Sequence, residues 1–337
     1  MTLPPLQQLL ADARVVSLPL KKNFRGIDHR EFVIFEGPAG WGEFAPFHDH
    51  TLDHCAQWLV AAIEAAYEGF PASVRSDVAV NAIVPALPLS EIEGWVQSAL
   101  TNFGTRVFKV KCGDADFRKD YERVDEIRYT LDHTVGDDWS LRLDVNGQWS
   151  VDQAIERINV LNDAAAGRIE YVEQPVQSLA DCATVRAATD VKIAVDESIR
   201  LVSEGQLSPY AVRLAADVAI VKAIPLGGVR KSLNVVESLQ LPVVVSGSMD
   251  SSIGLASGLA LAGIVPELFG ACGFGTGQLL ADDFVHKTSL PINGRMSVQS
   301  PQVDVAAIER AESRVDSATV NYWKARLTAC YELLEEM

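Results

Sequence analysis

Residues 139–174 read WSLRLDVNGQWSVDQAIERINVLNDAAAGRIEYVEQ and hold one complete structural unit. The apolar run Trp139–Val145 is interrupted by polar residues and leads into Asn146-Gly. Val151 to Asn162 then places apolar residues at helical spacing, and Ile169 to Gln174 is a second apolar run. Strand, amphipathic helix and strand make a βα unit with the next strand attached. The pattern extends in both directions. Short β-branched runs fall at 78–84, 107–111, 139–145, 169–174, 192–196, 218–222, 242–247 and 268–273, with starts 29, 32, 30, 23, 26, 24 and 26 residues apart. Eight such units in about 200 residues predict a (β/α)8 barrel, a TIM-like α/β fold. An open doubly wound sheet competes but ordinarily has fewer strands.

The flanks differ. Arg30–Glu36 reads as a strand, and Thr51 to Tyr67 as a helix capped by Thr51, with Trp58, Leu59, Ala62, Ile63 and Ala66 on one face. This predicts a small α+β domain over residues 1–77, before a barrel over 78–299. Ser317 to Glu336 reads as a closing helix, so residues 300–337 are expected to pack back on the first domain.

Composition bounds the function. Acidic residues outnumber basic ones by 45 to 29 in 337, a net charge of −16, which repels nucleic acid and anionic lipid. The longest uncharged stretch, Ser251 to Pro266, is too short to span a bilayer comfortably. The N-terminal segment carries Asp12 among its apolar residues and its basic pair after them, unlike a signal peptide. Five cysteines without CxxC spacing predict reduced thiols in a cytoplasmic protein, with neither disulfides nor a zinc site.

Barrel chemistry sits at the C-terminal ends of strands. Read in order, those ends carry Lys109 and Lys111, Asp144, Glu173, Asp196, Lys222, then Ser246-Gly247-Ser248-Met249. Asp144, Glu173 and Asp196 end three consecutive strands and would converge. Three hard oxygen donors without Cys or His select Mg²⁺ or Mn²⁺, which would take substrate oxygens at its remaining positions. Separate salt bridges at strand ends are the alternative. Asn146 lies two residues past Asp144, as a contact to substrate or ligand, while alternation sends Glu197 to the opposite face. Lys109 and Lys111 share a face, and Lys222 stands across the mouth. A dication and a second ammonium would depress a lysine pKa and provide a neutral base, suited to a small-molecule carboxylate substrate with an acidic α-proton. Lysines that merely neutralise the carboxylates are the competing reading. The Ser/Gly-rich segment 246–254 offers N–H groups and hydroxyls to an anion, or is an ordinary turn and cap. His48, His50 and His54 have the look of a metal cluster but read as surface polarity in the first domain, with bordering the substrate as the alternative; Gly273–Gly277 reads equally as a glycine turn or as a phosphate site after the eighth strand.

Lys109-x-Lys111, Asp144-x-Asn146, Glu173-Gln-Pro175, Asp196-Glu-Ser198, Lys222 and Gly40-Trp-Gly-Glu43 together resemble the enolase superfamily, muconate-lactonising-enzyme subgroup. The resemblance spans nearly the whole chain. It implies that residues 1–77 cap the barrel, that the carboxylates hold the metal, and that Lys111 is the base. Lys222 would then stabilise charge on the opposite face, and Lys109 would tune Lys111. Segment 246–254 is similar to the one that holds the succinyl carboxylate in the o-succinylbenzoate synthases of the subgroup. That implies a lyase dehydrating a cyclohexadiene carboxylate, with N-acylamino-acid racemases and dipeptide epimerases as the alternative activity. The basic loop Lys21-Lys-Asn-Phe-Arg25-Gly matches no specificity motif, and oligomeric state is not legible.

Overall fold

The computed structural model describes residues 2–24, 26–202 and 206–336, so Arg25 of the basic loop lies outside it. A short helix α1 (Leu6–Asp12) precedes strands β1 (Arg14–Phe24), β2 (Ile27–Gly37) and β3 (Gly40–Phe44), which form an antiparallel sheet in that order. Helix α2 (Leu52–Ile63) follows, extended by a π-helical turn over Glu64–Glu68. Thr51 occupies its N-cap position, but its side chain makes no capping bond.

The second unit begins with β4 (Asp77–Ala79) and β5 (Ala82–Val84). Strands and helices then alternate: α3 (Leu89–Phe103), β6 (Val107–Lys111), α4 (Phe117–Val135), β7 (Ser140–Asp144), α5 (Val151–Ala164), β8 (Ile169–Glu173), α6 (Leu179–Ala188) and β9 (Ile193–Val195). After them come α7 (Glu197–Arg200), α8 (Pro209–Ala215), β10 (Val218–Val221), α9 (Val229–Leu239), β11 (Val243–Val245) and α10 (Ser252–Ile264). Strands β5 to β11 form one parallel sheet of seven, each beside its neighbour in sequence. The chain ends with β12 (Arg295–Ser297), α11 (Val305–Glu312) and α12 (Ser317–Glu336). Helix α12 lies against α2, and α11 against β1. Among the described residues no helix is long and apolar enough to cross a membrane.

Two of the eight runs differ from expectation. Run 78–84 is split: β4 pairs antiparallel with β12, and only β5 enters the parallel sheet. Run 268–273 is not a regular strand. It closes the barrel through isolated bonds: Phe269 N to Val243 O (2.7 Å), Gly273 N to Val245 O (2.8 Å) and Cys272 N to Ala79 O (2.7 Å). Gly270 sits at φ +64°, which interrupts extended backbone. The fully buried Arg142 of β7 takes the carbonyls of Ala271 (2.6 Å) and Phe269 (3.3 Å). A short 3-10 turn, Gly275–Leu279, stands where an eighth helix would follow.

Strand alternation sorts the side chains. Leu141, Leu143, Val172, Ile193, Val195, Ala219 and Val221 face outward into the core shared with the helices. Tyr171, Ala194, Val218, Ile220 and Val244 form a separate cluster. Continuing that period by one step carries Glu173, Asp196, Lys222 and Ser246 onto the inner face, each two residues beyond a member of this cluster. The same period sets Lys109 and Lys111 opposite in sense to the outward Phe108 and Val110.

Candidate active site

A cleft opens at the C-terminal end of the barrel. Lys109, Lys111, Asp144, Asn146, Asp196, Lys222 and Ser246 to Met249 line it, so ten of the eleven candidate residues share one site. Glu173 is the exception, fully buried behind Lys109. Register sets this up directly: Lys111 pairs with Asp144, and Asp144 with Glu173, in one row across β6, β7 and β8.

Ion pairs knit the row together. Lys109 Nζ lies 2.7 Å from Glu173 Oε1 and 3.0 Å from Asp144 Oδ2. Lys111 Nζ donates to Asp144 Oδ2 (2.7 Å) and to Asn146 Oδ1 (2.6 Å). From the opposite side Lys222 Nζ reaches Asp196 Oδ2 at 2.6 Å. Burial works against the charge on Lys109, but Asp144 and Glu173 outweigh it and hold the group well above its ordinary pKa. These two carboxylates therefore favour the charged form of Lys109. Burial would raise Asp144, yet Lys109 and Lys111 pull it below the usual carboxylate range. Glu173 is pushed up to about 7 by burial and by Asp144, with Lys109 opposing.

The carboxylate set can be tested against a hard dication on its own chemistry. Asp144 Oδ1 and Glu173 Oε2 are buried and accept no hydrogen bond, although Lys109 Nζ lies 2.7 Å from the latter. Buried carboxylate oxygens left without donors are costly, and a cation would satisfy them. All three groups are hard oxygen donors, and three negative charges at one place favour a divalent ion. Among the described residues no three His, Cys, Asp or Glu side chains are already drawn together as a ligand set. Each carboxylate turns instead to a neighbouring ammonium or guanidinium.

Sequence reasoning missed several residues here. Glu197 faces the cleft, correcting its assignment to the opposite side: strand β9 ends at Val195, and the chain enters α7, where strand alternation no longer applies. Asn146 Nδ2 donates to Glu197 Oε1 at 3.1 Å. Arg200 holds both Asp196 oxygens at 3.1 Å and Glu197 Oε1 at 2.8 Å. Its signal was the i, i+4 spacing from Asp196 on a helix. His50, read as surface polarity, lines the cleft with Phe47 and Trp58. His48 and His54 do not line it. Gln174, in the left-handed region at φ +42°, accepts from the backbone N–H of Asp196 and Ser198 (both 3.2 Å) and so ties the ends of β8 and β9 together.

In segment 246–254, Ser246, Gly247, Ser248 and Met249 line the cleft, while several of its N–H groups are engaged within the protein, as the turn-and-cap reading has it. Gly247 N donates to Gly273 O (3.1 Å) and Ser248 N to Asp250 Oδ2 (2.8 Å). At the start of α10, Gly254 N donates to Glu43 Oε2 (3.3 Å) and Ser252 N to Asp283 Oδ1 (3.2 Å). The helix terminus is thus satisfied by the protein's own carboxylates.

Residues 91–303 match the Enolase C-terminal domain-like family, and residues 15–66 the Enolase N-terminal domain-like family. An o-succinylbenzoate synthase from Mycolicibacterium smegmatis is 39% identical, with 98% of each chain covered. One from Mycobacterium ulcerans is 38% identical, over 98% of this chain and 96% of the relative. The fold is similar to that of muconate lactonizing enzyme from Pseudomonas putida (TM-score 0.71, 19% identity, 89% of this chain and 98% of that one). It is also similar to the enzyme of the same name from Pseudomonas fluorescens (TM-score 0.74, 17% identity, 89% and 97%).

Proposed function

This chain belongs to the enolase superfamily, and on that footing we propose that it acts as an o-succinylbenzoate synthase, a lyase of menaquinone biosynthesis. The reaction is dehydration of 2-succinyl-6-hydroxy-2,4-cyclohexadiene-1-carboxylate to 2-succinylbenzoate. The observation that carries this reading is the 39% identity to o-succinylbenzoate synthases over nearly the full length of both chains. The site supports it: carboxylates and lysines meet at one barrel mouth, as proton abstraction next to a carboxylate requires.

Asp144, Glu173 and Asp196 would hold Mg²⁺, or Mn²⁺, and the chemistry that ion supplies when bound is charge to offset what develops on the substrate carboxylate. Lys111, in its neutral form, takes the α-proton and returns it to the departing hydroxyl, so that water leaves and the ring becomes aromatic. Lys222 faces the opposite side of the ring and stabilises the developing negative charge. Lys109, held between Asp144 and Glu173, presents an ammonium to the substrate carboxylate and to Lys111. Asn146 orients Lys111 through its 2.6 Å bond, and Ser246 to Met249 border the succinyl arm.

The same pair of lysines on two faces suits an N-acylamino-acid racemase or dipeptide epimerase, which needs a base on each side of the α-carbon. The test is a magnesium-dependent absorbance assay on the cyclohexadiene substrate, run beside a racemisation screen. Dehydration with little racemisation is the expected result; racemisation alone overturns the reading. Lys222→Arg should keep more dehydration activity than Lys222→Ala, because charge survives. Equal losses would assign Lys222 a proton-transfer role and favour the racemase.

A further inference from the structure

We propose that Arg326, on the C-terminal helix α12, is the positioning residue that shapes the aromatic wall of the substrate cleft. The inference rests on the reaction proposed above. Phe47 and His50 reach the cleft from the loop between β3 and α2, and Trp58 reaches it from α2. Their ring centroids lie 5.5 Å (Phe47–His50), 6.2 Å (Phe47–Trp58) and 5.8 Å (His50–Trp58) apart, so they pack as one wall. Trp58 is fixed by the helix that carries it. Phe47 and His50 lie outside strand and helix, in a turn closed by His50 N donating to Phe47 O (3.1 Å), with Cys55 Sγ at 3.7 Å from His50 O; each carbonyl has a second lone pair for further donors.

Arg326 provides those donors without lining the cleft itself. Nη2 donates to Phe47 O (3.1 Å) and His50 O (2.8 Å), and Nη1 to His48 O (3.3 Å). The guanidinium is held in turn by the Tyr322 hydroxyl and by the Trp323 ring, 5.8 Å from its carbon. Three carbonyls of one four-residue turn are thus tied to a planar, multi-donor group from 276 to 279 residues away. Only a guanidinium has the donors and the rigid fork to do this; an ammonium can serve part of it. The metal candidates and lysines stand on barrel strands that Arg326 does not touch. Losing the clamp should therefore weaken the fit of the substrate ring and leave the chemistry largely intact.

The test compares Arg326→Ala and Arg326→Lys with a control on the same helix, Lys324→Ala. Steady-state dehydration kinetics are combined with hydrogen exchange on the full-length protein. Arg326→Ala should raise KM by about tenfold or more while kcat changes by less than about threefold, the signature of lost uniform binding. Arg326→Lys should fall between it and the parent, and Lys324→Ala should match the parent. Amides of residues 47–51 should exchange faster in Arg326→Ala while those of β6 to β10 do not change. An unchanged KM, a kcat loss as large as the KM change, or exchange that rises throughout the barrel overturns the proposal. If the parent protein performs no dehydration, the functional reading fails, and the exchange experiment still decides the clamp: unchanged protection at 47–51 refutes it.

Discussion

Lys109 stands between Glu173 and the cleft, its ammonium 2.7 Å from Glu173 Oε1 and 3.0 Å from Asp144 Oδ2. One cation thus serves two carboxylates, lying 2.7 Å from Glu173 Oε2 as well, while Asp144 Oδ1 accepts no hydrogen bond. This arrangement makes Glu173 the sensitive member of the set. Glu173→Gln removes the innermost charge and should lower Mg²⁺ or Mn²⁺ affinity by roughly tenfold or more, with a parallel loss of turnover. Titration calorimetry and Mn²⁺ spectroscopy would check it. Exhaustive chelation should abolish activity in the parent and added Mg²⁺ restore it; full activity in the chelated enzyme refutes the metal assignment.

Lys111 is the residue on which the chemistry depends. Lys111→Ala should keep the fold, because the side chain sits at the barrel mouth above the packed layers. Turnover should fall by roughly 10²- to 10⁴-fold, the worth of a positioned general base. Single-turnover kinetics with substrate deuterated at the α-position, alongside circular dichroism, would measure this. Dehydration within a few-fold of the parent by the folded, metal-loaded variant rules Lys111 out as the base.

Glu43 couples stability to pH. It reaches from β3 to the start of α10, where Ser251 Oγ and Gly254 N donate to it, and it is 2% exposed. Burial and the nearby Asp250 raise it from 4.5 to about 8. The folded state therefore holds a proton that the unfolded chain releases near 4.5. Its contribution is full below that pH and is lost as pH climbs to about 8. Glu43→Gln should flatten the decline in stability between pH 5 and pH 8, by an amount on the order of a few kcal/mol at most. Urea midpoints at the two pH values test this, and identical slopes for parent and variant would contradict it.

Arg142 holds the barrel closed where segment 268–273 departs from strand geometry. Arg142→Met leaves Glu170 without its 2.6 Å partner and takes the donor from the carbonyls of Ala271 and Phe269. Glu170 is partly exposed and keeps its bond from Ser140 Oγ, so the loss comes mainly from those two carbonyls and should be about 1–3 kcal/mol. Denaturant unfolding measures it, and a loss under about 1 kcal/mol would show that backbone bonds alone close the ring.

What the sequence determined by itself is what depends on local period. Alternation along each strand places Lys109, Lys111, Asp144, Glu173 and Lys222 on one face, and it needs no knowledge of the rest of the chain. Helical spacing marked α2, α5 and α12 for the same reason. The α10 terminus was legible as a Ser/Gly turn, but not that Glu43, more than 200 residues earlier, occupies its amides. The cleft side of Glu197 followed from where β9 stopped, and the burial of Arg142 from how the ring closed. His50 looked like a solvated histidine until α12 came round to hold its carbonyl. Each of these was decided by the tertiary structure alone, because a polar group takes whichever partner folding brings within about 3 Å, and sequence distance does not enter that choice.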